Sequence, residues 1–252
     1  VHSTENAPQG ARQHNAHGEA HPSRSREFAG AVFLSTVADW KQLPKAGAPE
    51  VAFAGRSNAG KSSAINALVG HGGLARVSRS PGRTQHLNFF QLRAGALLVD
   101  LPGYGYAAAS WQARNNWGHL VTRYLSARSS LVGLVLVADS RRPLTQLDHQ
   151  LLNWFLPTGR PVRILLTKAD KLIARERVLA LARAQETLAR VHPDRTRQLS
   201  AQLFSSSRQW GVADAAATIR EWLDRSRSLR QHKKKGPGIK GSDTGPKTPS
   251  DR

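Results

Sequence analysis

The sequence has no cysteine and no methionine among its 252 residues. Without thiols there is no disulfide and no zinc–thiolate site. That fits a reducing cytoplasm. Long apolar runs are missing as well, since none approaches the ~20 residues of a membrane span. The amino-terminal stretch is polar and His-rich, which predicts no signal peptide. Acidic residues are scarce. Asp and Glu number 17 against 37 Lys and Arg, for a net charge of +20 and a pI near 11.5. Such an excess points to a polyanionic partner, nucleic acid or an anionic membrane surface. A basic surface that serves solubility alone is the other reading. What is present is an apolar content of 39%. At this length it supports one sizeable α/β domain with tails.

Both ends differ in composition from the middle. Residues 1–26 are rich in His, Ser, Asn, Gly and Pro and lack apolar periodicity, so they read as a disordered, His-rich head. His14, His17 and His21 could form a metal clasp, but no carboxylate or thiolate set accompanies them, and a solvated tail is the plainer reading. From Arg225 onward, nine Lys and Arg face only Asp243 and Asp251 among Gly, Pro and Ser. Residues 225–252 therefore read as a basic, disordered tail suited to nucleic-acid contact, with a solvated helix end and a low-complexity trailer as the other reading. The folded domain is expected over 27–224.

Within that domain the pattern alternates. Phe28, Val32, Phe33, Val37 and Trp40 have the spacing of one helical stripe. Val51–Gly55 reads as a buried strand and Gly60–Val69 as a helix. Leu87–Arg93 and Ala96–Asp100 read as two strands joined by an Ala94–Gly95 hairpin turn. Trp117, Leu120, Val121, Tyr124 and Leu125 mark a helix face. Leu131–Ala138 is the near-continuous apolar run of a central parallel strand. Leu144, Leu147, Leu151 and Phe155 predict another helix, and Val162–Thr167 another buried strand. Val178, Leu181, Leu188 and Val191 predict the next helix, and Arg197–Phe204 a weaker strand. Val212, Ala215, Ile219, Trp222 and Leu223 line the last helix. This alternation predicts a doubly wound, mostly parallel six-stranded sheet, with one antiparallel edge strand and helices on both faces.

Gly55 to Ser63 reads GRSNAGKSS and sits between an apolar strand and an apolar-periodic helix. That is the context a phosphate-binding P-loop requires. Its glycines turn backbone N–H groups inward around phosphate oxygens. Lys61 would reach the β- and γ-phosphates, and the Ser62 hydroxyl would ligate Mg²⁺. Four further stations follow in order. In Pro81-Gly82-Arg83-Thr84-Gln85, a Thr hydroxyl can contact Mg²⁺ and the γ-phosphate. In Asp100-Leu101-Pro102-Gly103, Asp100 can hold a Mg²⁺-bound water and the Gly103 N–H can bond the γ-phosphate. In Thr167-Lys168-Ala169-Asp170, a carboxylate can accept the guanine N1–H and N2 amino protons, a pair of donors that adenine lacks. Asp170 could also simply cap a helix before Leu172. Phe204-Ser205-Ser206 would close its backbone over the guanine carbonyl. The order of these stations is that of a GTPase.

At this point the chain resembles the EngB (YihA) type of bacterial ribosome-biogenesis GTPases, in the Era-like branch of translation-factor GTPases. The resemblance spans roughly residues 28–223. It is carried by PEVAFAGRSNAGKSSAINAL, PGRTQHLNFF, VDLPGYGYA, LLTKADK and the closing FSSS. It implies a Ras-like G domain, GTP/GDP binding, Mg²⁺ dependence and a cytoplasmic setting. It also implies a part in maturing the large ribosomal subunit through its precursor and rRNA, with effects on cell division and septation. A GTPase acting on another RNA, or at the septum, is the alternative. By motif, Lys61, Thr84 and Gly103 are the catalytic candidates, and Ser62 and Thr84, with Asp100 through water, the Mg²⁺ candidates. Nucleotide contacts fall to Gly55, Arg56, Ser57, Asn58, Ala59, Gly60, Lys61, Ser62 and Ser63 in the P-loop. They continue through Gly82, Arg83, Thr84, Gln85 and His86, then Asp100, Leu101, Pro102 and Gly103. Thr167, Lys168, Ala169 and Asp170 follow, with Phe204, Ser205 and Ser206 last. Ser80 stands where many relatives have Thr.

Tyr104 occupies the place of the water-orienting Gln of many GTPases, and a phenol mimics an amide poorly. Slow intrinsic hydrolysis is therefore expected, completed by a partner or a monovalent cation. Asn58 sits where potassium-using Era-like relatives place an Asn, so K⁺ could bind near it. A plain turn residue is the other reading. Arg76, Arg79, Arg83 and Arg114 flank the two Gly-rich switch loops and suit rRNA phosphates. The protein is expected to be a monomer.

Overall fold

The structure, a computed structural model, describes residues 28–75, 86–105 and 118–234. The strands are β1 (Val32–Val37), β2 (Glu50–Gly55), β3 (Leu87–Gln91), β4 (Leu97–Asp100), β5 (Leu131–Asp139), β6 (Val162–Thr167) and β7 (Leu199–Leu203). The helices are α1 (Lys61–Val69), α2 (Gly118–Ala127), α3 (Gln146–Phe155), α4 (Ala174–Val191) and α5 (Val212–Lys234). The described strands make one 7-stranded sheet in the order β1-β3-β4-β2-β5-β6-β7. Only β3 runs against the others, antiparallel to both β1 and β4. Strands β4, β2, β5, β6 and β7 are parallel neighbours.

Alternation along the strands divides the core. Ala52, Val99, Leu134, Leu136 and Ile164 face one side, where α2, α3 and α4 bring Tyr124, Leu152, Phe155 and Leu188. Val51, Phe53, Leu98, Val135 and Leu165 face the other, where α1 and α5 bring Ile65, Leu68, Ile219 and Leu223. A side chain at Gly133 would come within 2.3 Å of the Trp222 ring, so this glycine is what lets α5 lie close on β5. Glu50, fully buried at the start of β2, accepts hydrogen bonds from Arg128 at 2.5 Å and from the Tyr124 hydroxyl at 2.9 Å. That network ties the central strand to the end of α2.

The structure corrects four expectations. The stripe from Phe28 to Trp40 is not a helix: 32–37 form β1 and Trp40–Gln42 a 3₁₀ turn capped by Asp39. The run VFLSTV is β-branched and aromatic, which suits a pleated edge, and β3 supplies its backbone partners. The sheet therefore has one strand more than expected, and β3 lies inside it rather than at its edge. The hairpin after β3 is a three-residue loop. The Leu92 N–H donates to the Ala96 carbonyl at 2.8 Å around Gly95, whose φ of +78° places it in the left-handed region. On α4, Val178 is 68% exposed and Val191 is exposed as well, and the buried stripe runs through Ala184 and Leu188.

The last helix also outruns its expected end. It continues to Lys234, through the start of the basic stretch. Pairs Glu221–Arg225 at 2.8 Å and Asp224–Arg227 at 2.9 Å brace it. The expected head and residues 235–252 lie outside the described residues. Among the described residues no helix is long and apolar enough to cross a membrane.

Half-buried His149 on α3 stacks against buried His192, just past α4, with ring centroids 5.8 Å apart. Burial pushes both imidazoles below their ordinary value. Arg190 acts in the same direction on His149 and Asp148 opposes it, while His149 lowers His192 further. The folded state thus prefers them neutral, whereas the unfolded chain binds protons near pH ~6.5. Their contribution to stability is complete above that pH and is lost as pH falls below it. His192→Phe is expected to flatten the decline in unfolding free energy between about pH 7 and pH 5, measured by urea titration across that range.

Candidate nucleotide-binding site

Strand β2 delivers the chain to Gly55, where a Cβ would lie 2.5 Å from the Val137 carbonyl oxygen of β5. Only glycine passes there. Asn58 and Gly60 take left-handed conformations, with φ of +65° and +97°, and curl the loop back toward α1. Gly60 is the residue before α1 and has no side chain to cap it. The first N–H groups of the helix are left for an anion. Lys61 opens α1, and its ammonium pairs with the Asp100 carboxylate at the end of β4.

The loop after β4 is joined to the P-loop through backbone. The Ser57 N–H donates to the Tyr104 carbonyl at 3.0 Å, and the Tyr104 N–H to the Gly55 carbonyl at 3.4 Å. A Cβ at Gly103 would meet Ser57 Oγ at 3.0 Å, so the two loops touch at this glycine. Leu101 is buried beneath them, and Pro102 lies between.

The third strand end closes from the other side. Thr167 Oγ1 lies 2.5 Å from the Ala59 carbonyl and 3.0 Å from the Ala138 carbonyl, one proton serving both. Lys168 adopts a φ of +58°, and its ammonium donates to the Asn58 carbonyl at 2.7 Å while lying 3.0 Å from Asp139. Asp139 also takes two hydrogen bonds from the Arg141 guanidinium. Burial alone would raise the Asp139 carboxyl, but Arg141 and Lys168 hold it well below the ordinary carboxylate range. The lysine head is thus clamped between loops.

Asp170 lies in the 3₁₀ turn Ala169–Lys171. It does not cap α4: the Ile173 N–H before that helix is taken by Glu176 at 3.0 Å. Its Oδ1 accepts the Ser205 hydroxyl at 2.6 Å, which is the main reason its carboxyl sits below the usual value. Ser205 is fully buried, and its N–H donates to the Trp210 carbonyl at 3.0 Å. The Ala169 N–H donates to the Phe204 carbonyl at 3.2 Å, so the turns after β6 and β7 form one unit. Ser206 accepts from the Gln209 amide at 2.6 Å.

The structure therefore brings 55–63, 100–103, 167–170 and 204–206 to one edge of the sheet. Gly82, Arg83, Thr84 and Gln85 lie outside the described residues, as do Arg76, Arg79 and Arg114, and His86 is half-buried at the entry to β3. Asp139, Arg141 and Asp148 were not foreseen. Asp139 had a legible signal, since it ends a strand at the same edge. Asp148 had none beyond its place in the first turn of α3. It accepts the Tyr104 hydroxyl at 2.5 Å, and its second oxygen takes the Thr145 N–H and hydroxyl, each at 2.7 Å. Burial raises the Tyr104 phenol well above its ordinary value, and Asp148 raises it further. The ring is directed under α3, into the core.

Among the described residues no group of three or more His, Cys, Asp or Glu could hold a metal. The hard donors at the edge are the Asp100 carboxylate and the Ser62 hydroxyl, half-buried in the first turn of α1. Few protein oxygens beside a phosphate cradle is a set that fits Mg²⁺.

Residues 50–168 match a family described as 50S ribosome-binding GTPase. A protein of Dechloromonas aromatica named "Probable GTP-binding protein EngB" is 51% identical over 215 residues, covering 85% of this chain and 96% of that protein. A protein of the same name from Thiobacillus denitrificans is 52% identical over 193 residues, covering 77% of this chain and 91% of its own. The crystal structure of a probable GTP-binding protein engB superposes with a TM-score of 0.55 at 19% identity, over 70% of this chain and 99% of that one. That likeness speaks for the fold.

Tyr104→Phe removes the phenol that Asp148 accepts. The buried carboxylate oxygen is then left short of a donor, and the expected loss is about 1–3 kcal/mol of unfolding free energy. Urea denaturation of the two proteins measures it.

Proposed function

The chain belongs to the EngB family of GTP-binding proteins, and from that membership we propose how the sheet edge serves a GTPase switch in large ribosomal subunit assembly, with linked effects on cell division and septation. GTP lies with its phosphates in the cradle of 55–63 and its base against Asp170. The observation that carries this reading is the bracing of Lys168 and Thr167 against Asn58 and Ala59, which sets the base-reading turn directly beside the phosphate loop.

Lys61 leaves its carboxylate partner for the β- and γ-phosphates, and the Gly103 N–H takes a γ-phosphate oxygen. Thr84 would contact the same phosphate. Ser62 and Thr84 would hold Mg²⁺ directly and Asp100 through water; bound there, the ion neutralises charge that develops on the phosphate oxygens. Asp170, kept ionised by Ser205, accepts the two guanine donors, and the Lys168 stem covers the base plane. The side chain after Gly103 is held by Asp148, so no group at that position orients the attacking water. Intrinsic hydrolysis is accordingly slow. The setting is the cytoplasm, and the partner is a large-subunit precursor whose rRNA phosphates meet the basic surface. The protein acts as a monomer.

Two measurements test the site. Asp170→Asn should exchange guanine for xanthine preference, read as competition of GDP and XDP for a fluorescent nucleotide. Unchanged GDP affinity would remove Asp170 from base recognition. Potassium near Asn58 would complete the charge stabilisation that an arginine finger supplies elsewhere. The left-handed backbone at Asn58 already accounts for an Asn there, so the ion needs its own evidence. Turnover is expected to be several-fold faster in KCl than in NaCl at equal ionic strength, and equal rates would assign Asn58 to the turn alone.

A further inference from the structure

The loop from Phe204 to Gly211, which carries Ser205, also presents the indole of Trp210. The ring is 41% exposed on a described surface that buries most of its aromatics. Its mount is rigid. The Trp210 carbonyl accepts the Ser205 N–H, and Gln202 Nε2 donates to the Gly211 carbonyl at 2.7 Å. Gly211 has a φ of +70°, and a Cβ there would lie 2.3 Å from the Leu203 carbonyl, so the backbone is confined on both sides of the loop's end. An exposed tryptophan held this firmly does not contribute to the core.

The Arg177 guanidinium of α4 lies over the ring, 4.7 Å from its centroid. It also donates to the Leu172 carbonyl at 3.1 Å, which fixes its plane. Lys171 and Arg175 on the α4 side and Arg208 on the loop side are exposed. Asp170 accepts the Ser205 hydroxyl and also lies 3.6 Å from the Lys171 ammonium, and Glu176 accepts the Ile173 N–H. An exposed π face beside exposed cations matches an unpaired base flanked by phosphates. A duplex, with its bases stacked inside, offers the cations phosphates but offers the ring nothing.

We propose that Trp210, backed by Arg177, is a stacking platform for an unpaired base of single-stranded RNA, whose neighbouring phosphates engage Lys171, Arg175 and Arg208. This rests on the RNA-partner part of the reading above and narrows it to one surface next to the guanine-reading turn. An apolar protein segment is the competing occupant, and the experiment separates the two.

The full-length protein is titrated into a fluorescein-labelled single-stranded RNA dodecamer and a duplex of the same length, at fixed salt, with anisotropy as readout. Trp210→Ala should weaken single-strand binding about 10-fold, the scale of one base–aromatic stack, with duplex binding and GDP affinity unchanged. Trp210→Phe should keep most of the affinity. If Trp210→Ala also weakens GDP binding, Trp210→Leu, which keeps bulk without a π face, decides between a collapsed loop and a lost stack. Wild-type affinity for the single strand in both Trp210→Ala and Trp210→Leu overturns the platform alone. Equal losses for single strand and duplex overturn it too, because a stack discriminates between them. A wild-type protein that binds neither RNA overturns the RNA partner as well and leaves the surface to a protein.

Discussion

The Lys168 ammonium, seated between the Asn58 carbonyl and the Asp139 carboxylate, is the contact on which the arrangement at the sheet edge depends. In the proposed reading one nucleotide spans the loop of 55–63 and the turn of 167–170, so their separation has to be fixed. Lys168 and the neighbouring Thr167 hydroxyl bind the second turn to the first through main-chain carbonyls. Asp139 is itself held ionised by Arg141, and the lysine therefore meets a full negative charge on one side and a dipole on the other. Ser205 does for Asp170 what Arg141 does for Asp139. In each case a carboxylate that must point one way is given a donor that leaves it little choice.

Main-chain proximity is the second constraint. Gly55 passes β5 at a distance that leaves no room for a Cβ, and Gly103 passes Ser57 closely enough that a Cβ would be tightly crowded. The loops of this edge are consequently packed backbone on backbone. Lys61 and Asp100 neutralise each other within that space. Two charges that a nucleotide and its counter-ion would separate thus satisfy one another without them, which avoids leaving either buried and alone. Tyr104 marks the limit of the cradle: its backbone belongs to the loop, whereas its ring belongs to the core under α3.

Much of this was legible from spacing. Val51–Gly55, Leu131–Asp139 and Val162–Thr167 are apolar runs buried on both faces, and nothing but a central parallel strand accommodates them. The Phe28–Trp40 stretch was misread because a six-residue edge strand with exposed Val32, Phe33 and Leu34 shows no clean alternation, and a β-bulge between Phe33 and Ser35 shifts its register further. The α4 stripe is right at its centre, where Leu181 and Leu188 pack on the core, and too wide at its flanks, where Val178 and Val191 are exposed. The extension of α5 to Lys234 follows the alternative of a solvated helix end: basic composition fits a tail equally well, and the Glu221 and Asp224 partners that brace the helix lie one turn earlier.

The sequence by itself determined the chemistry available. Each loop motif is contiguous, and the order GRSNAGKSS, DLPG, TKAD and FSS follows from residues a few positions apart whose local backbone needs are strong. Tertiary structure alone decided which of those groups restrain which. The Lys168–Asn58 contact spans 110 residues and the Tyr104–Asp148 bond 44. Their existence depends on β2, β5 and β6 lying side by side and on α3 packing beneath the loop that follows β4. The exposure of Trp210 belongs to the same class, since an indole in a serine-rich loop reads alike whether it faces the core or the solvent. Local chemistry is encoded by neighbours in the chain, whereas orientation is set by neighbours in space, and only the folded sheet supplies those.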